Sequence, residues 1–190
     1  MTRRPVYAAG QFYHFYNRGA HRVSIFREHE NYLFVLRKMK HYSRERNLQV
    51  IAYCLLPNHY HFLVRQGGEA PARLLPQLVF NSHTKAYNRR YGHSGTLFEG
   101  HYKVKHVTTE DYMLNLCRYI HANPVHHGIV TDVHDWPDSN YPEWIGDRTG
   151  TLVDQELVTV HYPDRGQYAT AVAAHIADPD EFDEPEGWVT

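Results

Sequence analysis

At 190 residues and 42% hydrophobic content, the chain can bury a sizeable core, yet no apolar run approaches the ~20 residues that span a bilayer, which excludes a membrane-spanning helix. Its net charge of −1 hides a split: residues 1–105 carry 17 Lys and Arg against 5 Asp and Glu (+12), and residues 106–190 carry 3 against 16 (−13). A basic first half points to a polyanionic partner, most economically nucleic acid, or else to two solvated faces of opposite sign.

The opening residues, MTRRPVYAAGQFYHF, contain no apolar signal core, so the expected compartment is the cytoplasm. Cys54 and Cys117 lie far apart inside apolar segments and are expected as buried, reduced thiols. FYHFYNRG (12–19) alternates and closes at a glycine, which predicts a first strand and turn. In HENYLFVLRKMKHYSRER (29–46), Tyr32, Leu33, Leu36 and Met39 recur at helical spacing with basic residues between them. LQVIAYC (48–54) predicts a second strand, Leu55-Leu56-Pro57-Asn58 a break, and HYHFLVR (59–65) a third strand. Leu74 to Tyr91 predicts a second helix, ended at Gly92.

LFEGHYKVKHV (97–107) predicts a last strand, bulged at Gly100. Thr108 or Thr109 then caps a helix from Glu110 to about Ala122, with acidic residues in its first turn, and Asn123-Pro124 stops it. The order β-α-β-β-α-β followed by a helix predicts an α+β, ferredoxin-like (RRM-like) antiparallel sheet with helices on one face. Beyond residue 135 the chain turns Pro- and Asp-rich, gains a short helical segment near 167–177, and closes in an acidic, disordered-looking DPDEFDEPEG. The expected division is one domain over residues 1–146 and an acidic C-terminal extension over 147–190, partly helical and then flexible.

Two segments carry chemistry. On a strand, His59 and His61 of YCLLPNHYHFLV share a face while Tyr60 takes the other, so both imidazoles reach one ion, or each is an ordinary hydrogen-bonded sheet residue. In CRYIHANPVHHG (117–128), Tyr119 and Asn123 stand at i and i+4 on one helical face. An Asn oxygen suits a hard divalent ion, and a phenol beside that ion is laid out as a nucleophile toward phosphorus. The alternative is a core tyrosine and an asparagine that merely caps a helix before proline.

PNHYHFLV resembles the His-hydrophobic-His (HUH) motif of nucleases that cut single-stranded DNA, and RYIHANPVHHGIV resembles the YIHxNPV segment of the REP-associated tyrosine transposases. FYNRGAHRVSIF, YNRRYGHSGTLFEGHYKVKHV and WPDSNYPEWIG agree in order, so the resemblance runs over roughly residues 11–146. It implies the HUH endonuclease fold, His59, His61 and Asn123 as ligands of Mg2+ or Mn2+, and Tyr119 as the nucleophile that forms a 5′-phosphotyrosine link. It implies single-stranded DNA bearing a hairpin as partner and no membrane; a monomer, as expected of the REP-associated group, and a homodimer, as in the insertion-sequence relatives, both stay open. Asn123 stands where insertion-sequence relatives usually carry Gln. His126-His127-Gly128 replaces a usually basic stretch, and Glu99 stands where a neutral residue is expected.

Arg18, Arg89, Arg90, Lys103 and Lys105 are candidate phosphate contacts, the best being Lys103 and Lys105, which alternate on one strand face. His101, His106 and His121 are not expected as ligands, nor Tyr102 or Tyr112 as nucleophiles. The acidic tail is expected to occupy the basic DNA groove. Two rivals remain open: a non-catalytic single-stranded nucleic-acid-binding domain, and a metal-dependent phosphodiesterase that uses water.

Overall fold

The computed structural model describes residues 5–179. Strands β1 (Phe12–Arg18), β2 (Leu48–Leu56), β3 (His59–Gln66) and β4 (Lys103–Val107) form one antiparallel sheet in the order β2-β3-β1-β4. That is the order a β-α-β-β-α-β chain adopts when both crossovers lie on one face, and it makes β1 and β3 the central strands. Helices α1 (His29–Glu45) and α2 (Leu74–Tyr91) provide those crossovers. Their Val35, Met39, Leu75, Val79 and Phe80 pack on Tyr13, Phe15, Tyr53, Leu55, Tyr60, Phe62 and Val64, the alternate residues of the strands. Gly92 ends α2 in the left-handed conformation (φ +59°), as a glycine cap requires.

The opposite face is covered by α3 (Glu110–His126), whose Met113, Leu116, Cys117 and Ile120 meet Ile51, Ala52, Cys54, Leu56 and Leu63. A bulge between Val50 and Ala52 turns both Ile51 and Ala52 toward α3, which widens the apolar bed under that helix. Helices α4 (Tyr141–Ile145), α5 (Gln155–His161) and α6 (Arg165–Ala177) join the same core through Trp144, Val158, Tyr162, Tyr168 and Val172.

The expected ferredoxin-like layer is therefore present, with α3 added on its far side. Some boundaries differ. β2 runs on through Leu55 and Leu56, both fully buried, so Pro57-Asn58 alone makes the turn into β3. β4 begins only at Lys103; residues 97–102 are irregular, with Phe98 bridging Gly19 and Gly100 at φ +75°. α3 does not stop at Asn123-Pro124 but continues to His126 with Pro124 inside it. A proline so near the helix end removes few intrahelical bonds, and the side-chain amide of Asn123 donates to Tyr119 O (2.8 Å), which holds the turn closed. Helices α4 and α5 were not expected from the sequence. α6 starts earlier than expected, at Arg165, because the Asp164 carboxylate caps it by accepting from Gly166 N.

Cys54 and Cys117 are both buried and unbridged. Among the described residues, no helix is long and apolar enough to cross a membrane. The acidic end lies outside the described residues apart from Asp178 and Pro179.

Candidate active site

Strand alternation places His59 and His61 on the face of β3 that looks toward α3, while Tyr60 stacks on Phe80 on the other face (centroids 3.8 Å). Both histidines are almost wholly buried. The β1–β3 register sets Tyr16 opposite His61 and Arg18 opposite His59, and the β1–β4 register sets Lys105 opposite His14 and Lys103 opposite Tyr16. One sheet face thus gathers His14, Tyr16, Arg18, His59, His61, Lys103 and Lys105. A ring-nitrogen hydrogen bond joins His14 Nε2 to His61 Nδ1 (3.1 Å).

α3 supplies the other half. Thr109 caps it, its side chain accepting from Tyr112 N (3.2 Å), and the helix then carries Tyr119 and Asn123 over β3. The Tyr119 ring stands edge-on to His61, with centroids 5.5 Å apart and planes at 86°. Asn123 is fully buried. Because its Nδ2 donates to the Tyr119 carbonyl, the other end of the amide is fixed as the oxygen. That buried Oδ1 lies beside the His59 ring.

Burial sets the charge state here. It pushes His59 down to about 3, assisted by His127 and Arg18 and opposed by Asn123. Burial, followed by the neighbouring His14, His59 and His127, holds His61 well below the ordinary imidazole range. Both rings are neutral at pH 7, so each offers a nitrogen lone pair. Two neutral imidazoles and a buried amide oxygen form a donor set that suits a divalent ion of borderline to hard character. Among the described residues no group of three or more His, Cys, Asp or Glu side chains is arranged to hold a metal.

Arg18, Lys103 and Lys105 share the histidine face, but Arg18 is ion-paired with Glu99, so Glu99 is engaged by a cation rather than aimed at the histidines. Arg89 and Arg90 belong to the last turn of α2, on the other face of the sheet, and Arg90 pairs with Glu28. These two are not brought to the site. His121 is a buried structural residue, bonded to Tyr168 Oη (2.6 Å) and Asn140 Oδ1 (2.9 Å).

Sequence reasoning missed four neighbours. His14 and Tyr16 reach the site through strand pairing. His127 packs its ring on His59 (4.5 Å), and His175 of α6 stands edge-on to Tyr119 (6.4 Å). The alternation of FYHFYNR showed that His14 and Tyr16 share a face, but nothing local showed which strand lies alongside; no local signal pointed to His175.

A family model described as "Transposase IS200 like" matches residues 8–123, more than half of the chain. Among solved structures, the fold is similar to that of a REP-associated tyrosine transposase bound to a REP hairpin, at 20% identity and a TM-score of 0.66, over 81% of this chain and 94% of that one. A putative transposase from Deinococcus radiodurans is similar at 15% identity and a TM-score of 0.44, over 63% of this chain and 95% of that one. No curated protein matches the chain.

Proposed function

The chain belongs to the IS200-like transposase family, and from that membership we propose a metal-dependent single-stranded DNA strand transferase that uses Tyr119 to form a 5′-phosphotyrosine link at hairpin-associated sites. The observation that carries this reading is convergence. Two histidines from β3, and a tyrosine and an amide oxygen from a helix some sixty residues later, meet in one buried cluster. A core tyrosine or a helix cap would not require such company.

In this reading His59 and His61 give lone pairs, and Asn123 gives the amide oxygen that its own Nδ2 bond orients. A bound Mg2+ or Mn2+ would withdraw charge from the scissile phosphate. Tyr119 Oη attacks phosphorus, the bond from phosphorus to the 3′ oxygen breaks, and that oxygen leaves as a 3′-hydroxyl after taking up a proton. The phosphodiester energy is retained in the tyrosine link, so a later 3′-hydroxyl can displace Tyr119 and rejoin the strand without another energy source. Lys103 and Lys105 hold flanking phosphates on the same sheet face. The partner is a strand carrying a hairpin, and the likeness to a protein solved with a REP hairpin supports that choice.

A labelled, hairpin-bearing single-stranded oligonucleotide incubated with the protein and Mn2+, then run on a denaturing gel, tests the proposal. A shifted covalent species is expected, absent in Tyr119→Phe and in EDTA. Cleaved product with no adduct would favour attack by water. Binding without metal dependence, equal in Tyr119→Phe, would make the protein a binding domain only.

A further inference from the structure

His14 and His61 are both buried, and their rings meet nitrogen to nitrogen. The ring planes differ by 18° while the centroids lie 5.3 Å apart, so the rings sit side by side, not one above the other. That is the arrangement in which an N–H and a lone pair meet in a common plane. Between two neutral imidazoles one proton serves this contact, so each ring's tautomer depends on the other's. If His14 donates from Nε2, the remaining proton of His61 sits on its Nε2, and that nitrogen has no lone pair to offer an ion. If His61 donates from Nδ1, its Nε2 lone pair is available on the far side of the ring.

We infer that His14 is a positioning residue for the metal centre: it accepts the Nδ1 proton of His61 and thereby holds the Nε2 lone pair of His61 in readiness for the ion. This rests on the proposed ligand role of His59 and His61. Imidazole ligands commonly have such an outer partner, most often a carboxylate or carbonyl. Here the partner is a second histidine, delivered by the central strand β1 directly beside β3. Tyr16, whose ring lies 4.8 Å from His14 and 5.8 Å from His61, packs against both and fixes their orientation.

The test is Mn2+ affinity of the purified full chain, read from the free-Mn2+ electron paramagnetic resonance signal, with thermal midpoints of the metal-free proteins taken alongside. His14→Phe keeps a flat ring against Tyr16 but cannot accept a proton, and it should weaken Mn2+ binding about 10- to 100-fold. His14→Gln can place a carbonyl oxygen near the position of Nε2 and should bind within about threefold of wild type, because it accepts the same proton. Equal affinity in all three proteins, or Gln as weak as Phe, overturns the inference. If His14→Phe does not fold, the Gln variant decides: a loss greater than about tenfold overturns the role. His59→Ala separates the two readings. Wild-type Mn2+ binding that survives in His59→Ala overturns the ligand assignment itself, and with it any part for His14.

Discussion

Asn123 shows how much one hydrogen bond decides. With its Nδ2 given to the Tyr119 carbonyl, its oxygen can only point toward His59, so an Asn123→Asp change replaces an oriented amide with a carboxylate that would repel that carbonyl. Glu99 answers to its partner in the same way: it neutralises Arg18 on the histidine face. Glu99→Gln removes that neutralisation, and oligonucleotide binding should tighten by about fivefold at most, and only at low salt. Lys105→Ala should weaken binding and lower the slope of log affinity against log salt by about 1, measured by fluorescence anisotropy. At this scale the candidate site was most legible where local periodicity pairs its residues: His59 with His61 at strand spacing, Tyr119 with Asn123 at helix spacing. His14, Tyr16 and His127 escaped because strand register and helix packing, not spacing along the chain, bring them in.

Among the elements, α3 matters most, since it carries the proposed nucleophile and third donor together. Its start was readable from Thr109 and the acidic first turn; its end was not, because the Asn123 side chain supports a turn that the Asn-Pro pair would otherwise break. Thr109→Ala removes the bond to Tyr112 N and should lower stability by about 1 kcal/mol, seen as a lower urea midpoint at unchanged slope. Trp144, on the short α4, is fully buried and donates to Ile51 O (3.1 Å), tying the C-terminal segment to β2. Trp144→Ala should cost about 3–5 kcal/mol. The hairpin of β2 and β3 was visible in the sequence, but the length of β2 was not, because Leu55 and Leu56 resemble the edge of a break until both faces of the strand are known to be covered.

For the molecule as a whole, the second core joins α3 to α6 through a buried polar chain from Tyr168 to His121 to Asn140, whose amide also accepts from Tyr53 N (2.7 Å) and donates to Ile51 O (2.9 Å). Burial lowers His121 to about 4. Below the unfolded imidazole value of about 6.5 the unfolded chain takes up a proton that the folded chain refuses, so this histidine makes stability fall as pH drops from 6.5 toward 4. Between pH 7 and pH 4.5 the loss from this one group is on the order of 2 kcal/mol, and His121→Gln should reduce the pH dependence of chemical denaturation by about that amount. The sheet and the first two helices were legible because FYHFYNR alternates, residues 29–46 carry helical spacing and Gly92 stops α2. The covering of the far face was not, since α4, α5 and α6 are short and weakly patterned and take their stability from packing on α3, β2 and one another.

The most direct measurement of the central claim is a tandem mass spectrum of protein trapped with a hairpin-bearing single strand and Mn2+ after nuclease digestion. The expected result is a nucleotide phosphate attached to Tyr119, missing from His59→Ala and from Tyr119→Phe. A nucleotide on Tyr16, Tyr112 or any other residue, or efficient cleavage by the wild type with no nucleotide attached to protein, would contradict it.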